Sequence, residues 1–247
     1  MIIDYSRPKN MKEAIALLDR KEPRSIPLAG GSIVSKLRGE PVAVVDLQDL
    51  GLAQISKSTN SFDIGSMVTL NEFGEYFKSP EITKAISIQA AKNKQNSATL
   101  GGLVCLADGR SPLLTLLLAL DASLVWEPTG KTISLGNWLP QRREWNEGKI
   151  LTAIKISESR IKFDSIGRSP KDQPILCCAV ASWKTGRIRI AIGGFGPTPT
   201  LALDGNKTDN IQKAVKIALS NSKDQWASSE YRIEAGTKLA ERLLNES

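Results

Sequence analysis

The sequence predicts an α+β protein in three parts: a small β-α-β unit, a mixed α/β unit, and a C-terminal antiparallel sheet with helices. Three observations carry that reading. Strand-like apolar runs alternate with helical spacings over roughly the first fifty residues. Short strands and helices mix from Leu52 onward, and strand-like runs between Ile150 and Ile192 give way to two amphipathic helices. The expected division is 1–51, 52–148 and 149–247.

In order, Ile2 to Tyr5 reads as a first strand, and Met11 to Arg20 as a helix with Ala14, Leu17 and Leu18 on one face. Ile26 to Ala29 is a second strand, followed by Gly30-Gly31, a short helix through Arg38 closed by Gly39, and a third strand at Ala43 to Leu47. Two short strands, Gln54 to Ser56 and Ser61 to Ser66, precede helices at Leu70 to Phe77 and Ile82 to Lys92. Pro112 opens an apolar helix ending at Leu120, and Ser123 to Glu127 is again a strand. Ile150 to Ile156, Ile175 to Trp183 and Arg187 to Ile192 read as one antiparallel sheet, the last two joined at Lys184-Thr185-Gly186. Gly193-Gly194-Phe195-Gly196-Pro197 is a loop, because proline directly after the last glycine spoils helix initiation there. Ile211 to Leu219 and Glu230 to Leu244 close the chain as helices.

Two glycine turns hold most of the chemistry. Ala29-Gly30-Gly31-Ser32 links a strand to a helix, with no Cβ in the turn and a hydroxyl suited to an N-cap. Such a turn points backbone N–H groups at an anion, the ordinary setting for a phosphate. Thr99-Leu100-Gly101-Gly102 repeats the device, and Ile64-Gly65-Ser66-Met67-Val68-Thr69 adds hydroxyls between them. Two such turns suit an extended ligand with two phosphates and a sugar. Neither turn is a P-loop or a three-glycine dinucleotide fingerprint.

Composition removes several classes. With no histidine among 247 residues, Ser-His-Asp and Cys-His catalysis and most zinc or non-haem iron sites are excluded. Three cysteines, two adjacent at Cys177 and Cys178, make neither a disulfide framework nor a cluster site, and read as buried thiols. The net charge of +7 is scattered without aromatic interleaving, which argues against nucleic acid and for a partner or anionic ligands. No apolar run is long enough to span a membrane, and the N-terminus lacks a signal-peptide pattern, so a cytoplasmic protein is expected.

Pro27-Leu28-Ala29-Gly30-Gly31-Ser32, Val44-Val45-Asp46-Leu47, Ile64-Gly65-Ser66, Ala98-Thr99-Leu100-Gly101-Gly102 and Leu118-Ala119-Leu120-Asp121-Ala122 occur in an order that carries a resemblance. The chain resembles, nearly end to end, the FAD-binding medium subunit of the molybdenum hydroxylases. That family includes the flavoprotein subunits of carbon monoxide dehydrogenase and bacterial xanthine dehydrogenases. The resemblance implies a two-part FAD-binding domain of the vanillyl-alcohol oxidase type. It implies an oxidoreductase subunit that takes electrons from the iron–sulfur clusters of a small subunit, supplied in turn by a molybdopterin-binding large subunit. The acceptor would be NAD, a quinone or another carrier. The alternative is a flavin-free scaffold subunit of the same kind of complex.

Carried over by position, Leu28, Ala29, Gly30, Gly31, Ser32 and Ile33 form the pyrophosphate cradle, with the Ser32 hydroxyl where the family usually has threonine. Ser66 and Thr69 fall at phosphate and ribose contacts, while Thr99, Gly101 and Gly102 lie along the ribityl chain or diphosphate. Asp108 would accept from ribityl or ribose hydroxyls, and Phe163 stands where some relatives cover the flavin with tyrosine. Leu103 departs from the asparagine or serine common after the second Gly-Gly. No side chain is assigned a catalytic or metal-binding role.

Overall fold

A computed structural model describes residues 1–32, 41–145, 148–169 and 172–246. The helix expected through Arg38, and Ile33 with it, lies outside the described residues.

The first unit comprises β1 (Ile2–Ser6), α1 (Met11–Leu18), β2 (Ser25–Leu28) and β3 (Val42–Asp46). Its strands form a parallel sheet in the order β1-β3-β2. The continuous apolar run Val42 to Val45 suits the central, fully buried strand of such a sheet. Asn10 caps α1 by accepting from the Glu13 amide. Ala14 of α1 packs with Val45, Leu47, Met67 and Ile150, which fastens this unit to the next.

The second unit contains β4 (Ile55–Lys57), β5 (Ser61–Gly65), α2 (Leu70–Phe77), α3 (Pro80–Gln89) and α4 (Lys92–Gln95). It continues through α5 (Leu100–Leu106), α6 (Pro112–Ala119), β6 (Ser123–Glu127), β7 (Lys131–Ser134), α7 (Leu135–Trp138) and β8 (Ile150–Ser157). The strands form one antiparallel sheet, β4-β5-β8-β6-β7. The expectation that Ile150 to Ile156 belongs to the C-terminal sheet is corrected here. β8 lies between β5 and β6, where Ile154 stands opposite both Ile64 and Leu124, and all three are fully buried. That shared apolar row fixes both the partner and the register.

The third sheet runs β12-β11-β10-β9, all antiparallel. β10 (Leu176–Ser182) and β11 (Ile188–Gly193) match the expected strands, and β9 (Arg160–Ile166) and β12 (Thr200–Gly205) flank them. Small residues of β10, Cys177, Ala179 and Ala181, face the large core that contains the leucines of α6. Cys178 and Val180 face the other way, toward Val215 of α8 (Ile211–Leu219) and Leu239 of α9 (Ser229–Asn245). Burial pushes the Cys177 thiol up to about 12 and raises Cys178 as well, so both behave as small core residues. Every residue of α6 is buried, as its run Leu-Leu-Thr-Leu-Leu-Leu requires. Among the described residues no helix is long and apolar enough to cross a membrane.

An ion network ties the end of α6 to the third sheet. Arg189, with a side chain 5% exposed, pairs with Asp121 at 2.9 Å and Asp204 at 2.7 Å and donates to the Leu118 carbonyl at 3.2 Å. Arg187 forks onto Asp204 through two 2.8 Å bonds and also reaches Asp121. Its guanidinium holds the Asp204 carboxyl below the usual carboxylate range. Because the unfolded chain then binds that proton more readily, the stabilisation is present above about pH 4 and is lost as pH falls. Acid titration of stability should accordingly show a falling limb below that pH, shallower in Asp204→Asn; urea midpoints measured between pH 3 and pH 7 check it.

Candidate cofactor-binding site

Three segments far apart in sequence meet at the ends of β2 and β5 and the start of α5. The first is the turn after β2. An added Cβ on Gly30 would stand 2.2 Å from the Ser97 carbonyl oxygen and 3.0 Å from Ala98 Cα, so only glycine lets this turn rest on that backbone. The second is the end of β5. Ser66 is held by its amide, which donates to the Thr152 carbonyl at 3.0 Å, and the Gly101 amide donates to the Ser66 carbonyl at 2.9 Å. The third is the approach to α5, where Leu70 N–H donates to Ala98 O at 2.9 Å and Leu100 N–H to Val68 O at 2.8 Å. Those bonds make an antiparallel bridge of Thr69 with Thr99. A Cβ on Gly101 would come within 2.6 Å of Ser66 Cβ, so this glycine serves close packing.

Counting donors separates the hydroxyl and amide groups. The Gly102 amide donates to Thr99 Oγ1 at 3.1 Å, which makes Thr99 the N-cap of α5 and leaves its hydroxyl proton without a partner among the described residues. Gly101 and Gly102 therefore spend their amides inside the protein. The Thr69 hydroxyl donates to Glu72 at 2.8 Å and accepts from the Glu72 amide at 3.2 Å, a full capping box. Glu72, absent from the residues expected here, is foreshadowed by the Thr69-x-x-Glu72 spacing. Ser66 Oγ is buried with no partner among the described residues. The amides of Ala29, Gly30 and Gly31 make no hydrogen bond among the described residues. Gly31 adopts φ of 73°, and an added Cβ there would meet none of the described residues within 4 Å. Leu28 ends β2 opposite Asp46, and Ser32 closes the exposed turn.

Asp46 is not free for a ligand. Its carboxylate accepts from Tyr5 Oη at 2.5 Å and from the Gln48 amide at 3.0 Å. That bond raises the Tyr5 phenol above its ordinary value. On the other side, exposed Lys92 and Lys94 sit on α4 just before Ser97.

Asp108 and Phe163 stand away from this junction. Asp108 is exposed beyond the far end of α5, accepts from the Arg110 amide at 2.9 Å, and lines a cleft of about 190 Å³ with Gln89, Ser111 and Gln173. Seven residues of helix span about 10 Å, which is the length of α5 that separates it from Thr99. Phe163, 4% exposed on β9, packs in the main core.

A family model described as the FAD binding domain in molybdopterin dehydrogenase matches residues 1–158. The chain belongs to that family. FAD is therefore its cofactor, and the chemistry is that of an oxidoreductase. The match ends just past β8, where the five-stranded sheet is complete.

The medium chain of carbon monoxide dehydrogenase from Afipia carboxidovorans is 30% identical over 63% of this chain and 55% of that relative. YgfM of Escherichia coli (strain K12), an uncharacterised protein, is 27% identical over 90% of this chain and 86% of its own length. A solved carbon monoxide dehydrogenase from Hydrogenophaga pseudoflava aligns over 99% of this chain and 96% of that one, with a TM-score of 0.81 at 24% identity. That likeness shows the shared fold.

The residues present fit this cofactor: free amides in a glycine turn suit a pyrophosphate, and the unpaired Ser66 hydroxyl suits a polar ligand atom. In an unconstrained helix Gly→Ala stabilises by about 0.5–1 kcal/mol. Gly101→Ala should instead destabilise by about 1–3 kcal/mol, because the new methyl overlaps Ser66; urea denaturation supplies both sign and size.

Proposed function

We propose that this chain is the FAD-binding electron-transfer subunit of a multi-subunit molybdenum hydroxylase. In this reading a molybdopterin-binding large subunit oxidises the substrate and an iron–sulfur small subunit relays the electrons to this chain. From here they leave to NAD, a quinone or another acceptor. Bound FAD supplies the redox chemistry, and the protein supplies binding, orientation and electrostatics.

The observation that carries the reading is that the amides of Ala29, Gly30 and Gly31 make no hydrogen bond among the described residues. These amides bind the pyrophosphate, with the exposed Ser32 next to them in the same turn. Ser66, already fixed through its own backbone, turns its unpaired hydroxyl to the cofactor. Thr99 caps α5 with its oxygen and has its proton left to donate. Gly101 and Gly102 act indirectly by letting Ser66 and Thr99 approach. Thr69 positions α2 through Glu72 and gives no hydroxyl to the ligand. Asp108, beyond α5, meets groups distant from the pyrophosphate.

The cofactor-domain arrangement in this proposal is of the vanillyl-alcohol oxidase type. Its units follow 1–51, 52–148 and 149–247, except that sheet pairing moves β8 into the second. The name of the Afipia carboxidovorans relative, a dehydrogenase medium chain, supports the subunit role.

Purified protein incubated with FAD and then desalted should retain flavin absorbance. Gly31→Asp, which puts a carboxylate into the cradle, should weaken FAD at least about tenfold by fluorescence titration. Thr69→Val should leave the affinity unchanged and lower stability by about 1 kcal/mol through loss of the cap. A wild-type protein that desalts colourless, or a Gly31→Asp variant with undiminished affinity, contradicts the proposal.

A further inference from the structure

Asp108 is exposed, yet the backbone on both sides of it is held. The Ala107 amide ends α5 by donating to the Leu103 carbonyl at 2.8 Å, and the Asp108 carbonyl accepts from the Ser111 amide at 3.2 Å. Gly109 donates to the Gly196 carbonyl at 3.1 Å and accepts from the Gly194 amide at 2.8 Å. An added Cβ on Gly109 would stand 1.9 Å from the Phe195 carbonyl oxygen, so this segment sits directly on the glycine-rich loop between β11 and β12.

Arg142 closes the joint. It lies half-buried in the connection from α7 to β8, and its guanidinium donates to the carbonyl of Ala107 and, at 2.9 Å, to that of Pro197. One planar fork thus ties the residue before Asp108 to the loop that holds the residue after it. What this brace holds is a half-satisfied carboxylate. One Asp108 oxygen accepts from the Arg110 amide at 2.9 Å, and the other has no partner among the described residues. The Arg110 guanidinium does not take it, being turned to the Gln173 and Pro174 carbonyls and the Trp226 ring. Packing gives an exposed side chain no need of so restrained a backbone, whereas an acceptor that must meet a ligand gains affinity from it. A free carboxylate oxygen suits a hydroxyl donor, and the ribose and ribityl hydroxyls of FAD are of that class.

We infer that Arg142 is a positioning residue for the cofactor: through the Ala107 carbonyl and the 193–197 loop it fixes Asp108, whose free oxygen accepts from an FAD hydroxyl. The inference rests on the proposed reading of Asp108 as a cofactor contact. It also gives the third unit a part in holding FAD, although the family match ends at residue 158 and the loop lies beyond it.

The test titrates FAD into the full chain by fluorescence, with melting temperatures measured alongside. Asp108→Ala should weaken FAD about tenfold or more, the effect of losing a hydrogen bond to a charged group. Arg142→Met should weaken it by about three- to tenfold, and Arg142→Lys, which keeps a donor for one carbonyl, should recover part of that loss. The Asp108→Ala/Arg142→Met double variant should bind FAD as Asp108→Ala does, because Arg142 acts only through Asp108. If Arg142→Met does not fold, the same comparison is made with Arg142→Lys, whose smaller loss should also vanish beside Asp108→Ala. An equal loss on changing Arg142 with and without Asp108 marks a purely structural brace and overturns the inference, as does wild-type affinity in either single variant. A wild-type chain that retains no FAD overturns the proposed function and the inference together.

Discussion

The site depends on two places where backbone touches backbone with no room for a side chain. Gly30 rests on Ser97 and Ala98, and Gly101 rests on Ser66. Each contact joins segments from different parts of the chain, so the amides of the first glycine turn, the Ser66 hydroxyl and the N-cap of α5 come to one spot. A methyl group at either glycine would separate the segments before it altered any ligand contact. The second Gly-Gly pair serves close packing inside α5, whereas the first leaves its amides without a hydrogen bond among the described residues, although the two look alike in sequence.

Rigidity reaches this junction from the core. α6 is buried along its whole length and shared between the second unit and the sheet of the third. The Arg187–Arg189–Asp121–Asp204 network clamps its C-terminal end. Partly buried ion pairs of this sort contribute little net stability, since desolvation offsets attraction, but stripping buried Arg189 of its acidic partners is costly. Their effect is to fix one arrangement of sheet against helix. A site built between elements held this way keeps its geometry without the ligand.

What was legible in the sequence followed from how local each signal is. The turn at Gly30-Gly31, the buried run of β3 and the greasy α6 are decided by neighbouring residues, and each falls where the pattern put it, whereas Gly101-Gly102, read as a second turn, lies in the first turn of helix α5. β8 was readable as a strand but not as a member of the middle sheet, because its choice of partners depends on the Ile64–Ile154–Leu124 row, which pairs residues far apart in sequence. The commitment of Thr69 to Glu72 was open to view in the capping-box spacing, yet competed with a ligand role that the resemblance supplied.

The account stands or falls on where the pyrophosphate sits. A crystal structure of the FAD-loaded protein measures that directly. The account predicts pyrophosphate oxygens within hydrogen-bond distance, about 2.7–3.2 Å, of the amides of Ala29, Gly30 and Gly31. A pyrophosphate bound elsewhere, with those three amides facing solvent, would contradict it.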